Sequence, residues 1–166
     1  MKDPVEVILE QWLRERPDLD VSPMAVIGRL ARVAKQIDER LSRTFAEHGL
    51  DSASFDVLAT LRRSGHPFVL SPKELSWSSM VTTSATAQRL NKLESEGLVS
   101  RAPSTVDGRS KQVQLTEKGK EIVDDALSAH VQTEHALLRN LDGNERQELA
   151  SLLAKLDTVA VTGDAR

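Results

Sequence analysis

Residues 71–116 read SPKELSWSSMVTTSATAQRLNKLESEGLVSRAPSTVDGRSKQVQLT, and the order of signals in that stretch decides the fold. Ser71-Pro72-Lys73-Glu74 has the form of a capping box, with Ser71 as N-cap and Glu74 at N3, and opens a short helix. After Met80-Val81, Thr82 or Thr83 caps a second helix that runs to Glu96 and stops at Gly97. Two runs, 98–103 and 112–116, then read as strands, because Val113 and Leu115 alternate with Gln112 and Gln114 as a half-buried strand requires. Asp107-Gly108 between them is a hairpin-turn signal. A short helix, a tight connection, a second helix and a two-stranded hairpin make a winged helix-turn-helix. That arrangement lays its second helix in the major groove of DNA and its hairpin along the adjoining backbone.

Helical geometry assigns faces to the second helix. At about 100° per residue, Thr83, Thr86, Ala87, Leu90 and Leu93 share the inward side, while Gln88 and Lys92 point away. Ser84, Ala85, Asn91 and Ser95 lean outward and Arg89 lies on a flank. Gln88 suits a bidentate contact to adenine, and Ser84 and Lys92 suit phosphate or base edges. The same set of residues also describes an ordinary solvated face, and the hairpin is what favours DNA. Arg109, just past the turn, is placed to enter a minor groove, and Lys111 to reach a phosphate.

Outward from this stretch the pattern is helical. Val5, Ile8, Leu9, Trp12 and Leu13 form an apolar stripe broken at Arg16-Pro17-Asp18. Ser22-Pro23 reads as an N-cap followed by proline at N1. The long helix it opens carries Ile27, Leu30, Ala34, Ile37, Leu41 and Phe45 on one stripe and ends at Gly49. Asp51 or Ser52 caps a helix bearing Phe55, Leu58 and Leu61 that stops at Gly65-His66-Pro67. Thr116 caps the helix after the hairpin, and Asp142-Gly143-Asn144-Glu145 opens the last one, which turns Leu149, Leu152, Leu153 and Leu156 inward. The fold class is therefore mainly α with a small β-hairpin. Residues 1–20 are expected to form an extra N-terminal helix and linker, 21–50 and 117–160 dimerisation helices, 51–116 the winged helix-turn-helix DNA-binding region, and 161–166 a frayed tail.

Composition narrows the function classes. The 166 residues include no cysteine, so disulfides, thiolate-bound metal and thiol redox switching are excluded. No apolar run approaches the ~20 residues of a membrane span, and the first residues lack a signal-peptide core, so a cytoplasmic protein is expected. The net charge of −3 conceals an asymmetry. Residues 29–43 carry five basic and two acidic side chains, and 82–116 five and three, whereas 1–20 carry three and six and 117–166 six and ten. Acidic ends around a basic middle still allow a basic face toward nucleic acid.

Leu90-x-x-Leu93-Glu94-x-x-Gly97-Leu98-Val99-x-Arg101, followed by Asp107-Gly108-Arg109-Ser110 and Val113-x-Leu115-Thr116, resembles the MarR family of bacterial transcription regulators over roughly residues 24–160. The resemblance implies a dimer in which the N- and C-terminal helices intertwine and two winged lobes read a pseudo-palindromic operator. The extra helix at residues 4–16 resembles that of the urate-responsive, PecS-like subgroup. Its ligand site implies Trp12, Asp56, Arg89 and Arg101 here: an indole to stack on a flat heterocycle, arginines to pair with an anion, and a carboxylate between them. The implied lever is an Asp56–Arg89 pair that an anionic effector breaks, tilting the reading helix. Urate stands beside other small aromatic or carboxylate effectors. Each residue also has a plainer role: Trp12 continues an apolar stripe, Asp56 and Arg101 suit surface charges, and Arg89 suits phosphate. Trp77-Ser78-Ser79 is bulkier than the family's usual connection, and Gln88 stands where relatives often carry asparagine or a basic residue.

An enzyme is disfavoured, since the chain has neither a phosphate-cradling glycine loop nor a nucleophile elbow. His130, Glu134 and His135 invite a metal reading, but His130 and His135 are about 140° apart on a helix and share no face. Neither a cofactor nor a metal is expected. A winged-helix protein-interaction module without ligand sensing is the remaining alternative, and the Gln88, Lys92 and Arg109 set argues against it. The wing contact is tested by Arg109→Ala, which is expected to weaken operator binding; affinity unchanged across salt concentrations would remove Arg109 from the groove.

Overall fold

Polar caps set the helix boundaries in the computed structural model, which describes residues 3–78, 83–103 and 111–162. Among the described residues, seven helices and three strands run in the order α1 (Pro4–Glu15), α2 (Ser22–Glu47), α3 (Ser52–Arg63), β1 (Val69–Leu70), α4 (Pro72–Ser78), α5 (Thr83–Ser95), β2 (Val99–Pro103), β3 (Lys111–Leu115), α6 (Glu117–Leu137) and α7 (Gly143–Thr162). Asp51 caps α3 by accepting from the Ser54 N–H at 2.8 Å. The Ser71–Glu74 box at α4 is reciprocal: the Ser71 N–H donates to Glu74 Oε2 at 2.8 Å and the Glu74 N–H to Ser71 Oγ at 3.2 Å. Thr116 caps α6, and Asp142 with Glu145 caps α7. The start of α2 departs from expectation. Ser22 is its first helical residue, buried Val21 is the N-cap, and the Ser22 N–H is satisfied by the Asp20 carboxylate at 2.9 Å. Asp20 thus takes the role assigned to the Ser22 hydroxyl. The cap of α5, the Trp77 side chain and the Asp107-Gly108 turn lie outside the described residues; of the tail expected at 161–166, the first two residues continue α7 and the rest lie outside them.

The wing has a third strand. The two residues of β1 pair antiparallel with β3, giving the sheet order β1-β3-β2, with Val69 opposite Gln114 and Val99 opposite Leu115. A two-residue strand carries too little periodicity to be read from sequence. The lobe's core gathers Val57, Leu58 and Leu61 from α3, Leu75 from α4, Leu90 and Leu93 from α5, Val99, Val113 and Leu115 from the sheet, and Val123 and Ala126 from α6. Several of these are fully buried, each stabilising the fold by about 1.5–3 kcal/mol.

The apolar stripe of α2 is divided. Phe45 enters the core and Leu41 packs against it, while Ile27, nearer the start of the helix, is 54% exposed. Helix α1 lies along this first half of α2: Val5 faces Gly28, and Asp3 both caps α1 and pairs with Arg29 Nε at 2.6 Å. Arg146 ties α7 back at its root by donating to the Leu138 and Leu141 carbonyls. Leu149, Leu152, Leu153 and Leu156, read as inward from periodicity, are all exposed on the protomer.

The first turn of α6 is seated on the end of α5 and the start of β2. The Thr116 N–H donates to the Leu98 carbonyl at 3.1 Å, and its hydroxyl lies 2.8 Å from the Gly97 carbonyl oxygen. Lys118 reaches the Glu96 carbonyl at 2.9 Å. The approach is so close that a Cβ on Gly119 would stand 2.1 Å from the Leu98 carbonyl oxygen. Gly119→Ala should therefore destabilise the fold by about 1–3 kcal/mol, despite alanine's better helix propensity. The check is the midpoint of urea unfolding, and a midpoint equal to or above the parent's would show that α6 has room to move.

Candidate nucleic-acid interface

Helix α5 presents the face its sequence implies. Leu90 and Leu93 are buried, whereas Gln88, Asn91, Lys92 and Ser95 are exposed. Ala87, assigned inward by the helical wheel, is exposed, and the buried part of the described helix begins at Leu90. Ser84 stands in the first turn, its side chain outside the described residues, as is all of Arg109. Lys111 begins β3 and is exposed.

The flanks of α5 are gripped by opposite partners. On one side Asp51, at the cap of α3, accepts through Oδ2 from Arg89 Nη1 at 2.5 Å and Lys92 Nζ at 3.2 Å, while its Oδ1 accepts from the Ser54 N–H. Partial burial alone would raise the Asp51 pKa. The Ser54 N–H, Lys92 and Arg89 outweigh it and hold the carboxyl below its ordinary value. On the other side Arg101 of β2 donates to Asn91 Oδ1 at 2.6 Å and lies 3.4 Å from Glu94 Oε2. Residues 89 and 92 lie on the far side of the helix from 91 and 94. Arg89 and Arg101, expected to share a ligand, thus make their contacts on opposite sides of α5, and Arg89 pairs with Asp51. The cause is geometric: Asp51 sits at the helix terminus nearest α5, one turn before Asp56. Lys92, expected to reach DNA, is also engaged by Asp51, though it remains 45% exposed.

Asp56 lines a separate cleft of about 870 Å3 between α2, α3 and α6. Its apolar wall includes Phe45, Phe55 and Leu127, and its charged rim Arg62, Arg63, Asp124 and Glu134. Phe45 stacks on Phe55 with ring centroids 4.2 Å apart, and His130 lies 5.1 Å from Phe55 and 5.4 Å from Phe45. His130 Nε2 is 3.1 Å from Glu134, so this histidine packs in the cleft and His135 stays exposed. No group of three or more metal-ligating side chains occurs among the described residues. Arg62 Nε donates to Asp124 at 2.8 Å, joining α3 to α6. Trp12 is 43% exposed on α1, and of the four residues assigned to an effector only Asp56 lines this cleft. The three-ring cluster was missed because its members come from three helices; the spacing of Phe45 and Phe55 marked only core.

Comparison with known proteins agrees with this architecture. The MarR family model matches residues 48–110, which span α3 to the wing. The chain is 39% identical over 153 residues to the HTH-type transcriptional regulator PecS of Dickeya dadantii (strain 3937), covering 92% of each chain. It is 27% identical to the HTH-type transcriptional repressor YetL of Bacillus subtilis (strain 168), covering 84% of this chain and 83% of that one. A mutant MarR from E. coli complexed with operator DNA superposes with a TM-score of 0.71 at 28% identity, covering 83% of this chain and 99% of that chain. These relatives are regulators rather than enzymes, and the chain belongs to the MarR family of DNA-binding transcription regulators.

Proposed function

We propose that the protein acts in the cytoplasm as a homodimeric repressor that holds a pseudo-palindromic operator and releases it when a small planar anion binds. The dimer reading rests on the exposed apolar side chains of the terminal helices: Ile8, Trp12 and Leu13 of α1, Ile27 and Val33 of α2, Leu127 and Val131 of α6, and four leucines of α7. Apolar surface on this scale is unusual on a monomer and suits a two-fold interface. Two lobes then face successive half-sites, with Gln88 on base edges, Ser84, Lys92 and Lys111 on the backbone, and Arg109 at the minor groove.

The observation that carries effector release is the cleft on α3. Its aromatic wall suits a flat ring, and Arg62 and Arg63 suit an anionic substituent. The helix that lines it also bears, at its N-terminus, the carboxylate that holds Arg89 of the reading helix. A ligand that wedges α3 away from α6 moves Asp51 with it, so differential binding to the two positions of α3 couples effector to DNA. Urate fits this chemistry, as do small phenolic or carboxylate aromatics. Trp12, Arg89 and Arg101 join such a site only if the dimer partner or a moved α5 brings them to it, whereas Asp56 is at the cleft already.

The experiment is a titration of urate and of a phenolic carboxylate into the protein–operator complex, following DNA release together with Trp12 fluorescence in a Trp77→Phe background. Release by either compound, lost in Arg62→Ala, is the expected result; release that persists in Arg62→Ala would move the effector out of this cleft. Quenching of Trp12 would bring α1 into the site, and no release by urate would exclude it as effector. On gel filtration the protein is expected as a dimer at micromolar concentration, and a monomer there would defeat the two-lobed reading.

A further inference from the structure

We infer that Asp51 is a specificity-determining positioning residue: its carboxylate sets the placement of the reading helix and thereby its discrimination between operator and other DNA. The inference rests on α5 being the DNA-reading helix of this family member. Asp51 makes three contacts at once, to the Ser54 N–H at 2.8 Å, Arg89 at 2.5 Å and Lys92 at 3.2 Å. The first fixes the carboxylate to the end of α3, so the other two measure α5 against that end. Arg89 is the better-buried partner, with its side chain 27% exposed against 45% for Lys92. Arg101 restrains the opposite flank through Asn91 and Glu94, which leaves α5 little freedom to roll. A hydroxyl contact of 3.2 Å between Ser42 and Ser52 joins the same corner to α2. The placement of α5 is thereby referred to the long helix rather than to its own lobe alone.

Stability is not the main consequence. Half-exposed ion pairs contribute little to folding. Placement matters more, because base-edge contacts demand geometry good to a fraction of an ångström, while phosphate attraction does not. Loosening α5 therefore harms specific binding and spares non-specific binding.

Asp51→Asn separates the two roles of the residue, since asparagine caps helices as well as aspartate but carries no charge for Arg89 and Lys92. The probes are the duplex that the parent protein selects from a randomised library and a scrambled duplex of equal length, each measured at two salt concentrations. Asp51→Asn is expected to lower the ratio of operator to scrambled affinity about tenfold, comparable to one mismatched base pair, with scrambled affinity equal or higher and the melting temperature near the parent's. Arg89→Met leaves the cap untouched and should lower the ratio alike. The double variant should stay within about twofold of the worse single one, because both remove one interaction. A ratio within twofold of the parent's in the single variants overturns the inference, and so does a rise in both affinities together, which would make Asp51 only a mask over cations. Should Asp51→Asn fail to fold, Arg89→Met decides alone. A parent protein that selects no sequence would instead refute DNA reading by α5, and the inference with it.

Discussion

A helix that reads DNA has to be held by the part of its surface that does not read. Helix α5 has 13 residues, and its described inward anchors are Leu90 and Leu93, both in its second half. Two apolar side chains locate a helix axis but resist rotation about it poorly, because dispersion contacts are non-directional. Directional restraint comes from charged hydrogen bonds on the two flanks, Asp51 to Arg89 and Lys92 on one and Arg101 to Asn91 and Glu94 on the other. The surrounding elements supply these partners: α3 starts beside α5, and β2 returns along it. Gly119 permits the third hold, since only a residue without a side chain lets α6 close on the Leu98 carbonyl directly after α5 ends.

The division of apolar surface gives the same molecule its second level of organisation. Phe45 closes the lobe's core, while Ile27 on the same α2 stripe stays exposed. One helix therefore serves the DNA-binding lobe at its C-terminal end and lies beside α1 at its N-terminal end. The two ends belong to one continuous 26-residue helix, and the Ser42–Ser52 contact joins that helix to the corner where Asp51 sits. The cleft between α2, α3 and α6 has Phe45 and Leu41 as shared members of cleft and core.

Most of the fold was legible in the sequence because its determinants are local. Asp51, Ser71 with Glu74, Thr116, and Asp142 with Glu145 are caps whose acceptors and donors lie within three residues, and all form as read. Capping and alternation located α4, α5, β2 and β3 in the same way. The failures share a different character. That Arg89 pairs with Asp51 spans 38 positions, and that His130 stacks on Phe45 and Phe55 joins three helices. Neither leaves a periodic trace. The sequence offers Asp51 or Ser52 as the cap of α3, and a cap engages only Oδ1, leaving Oδ2 for the distant Arg89 and Lys92. The inward reading of α7 failed for a related reason: periodicity shows that a face is apolar without saying which surface covers it.

The electrostatics follow from these pairings. Of the five basic residues between 82 and 116, Arg89, Lys92 and Arg101 already face carboxylates within the lobe, and the others are Arg109 and Lys111 in and beside the wing. The basic middle of the sequence is thus largely neutralised along α5. If Arg109 and Lys111 meet the DNA as proposed, counterion release on binding should come more from the wing than from α5. A DNA phosphate that approaches Lys92 must compete with Asp51 for it, whereas one that approaches Lys111 meets no such competitor among the described residues. Under the proposed function, attraction and discrimination fall to different elements: charge to the wing, and position to a helix whose cations hold it in place.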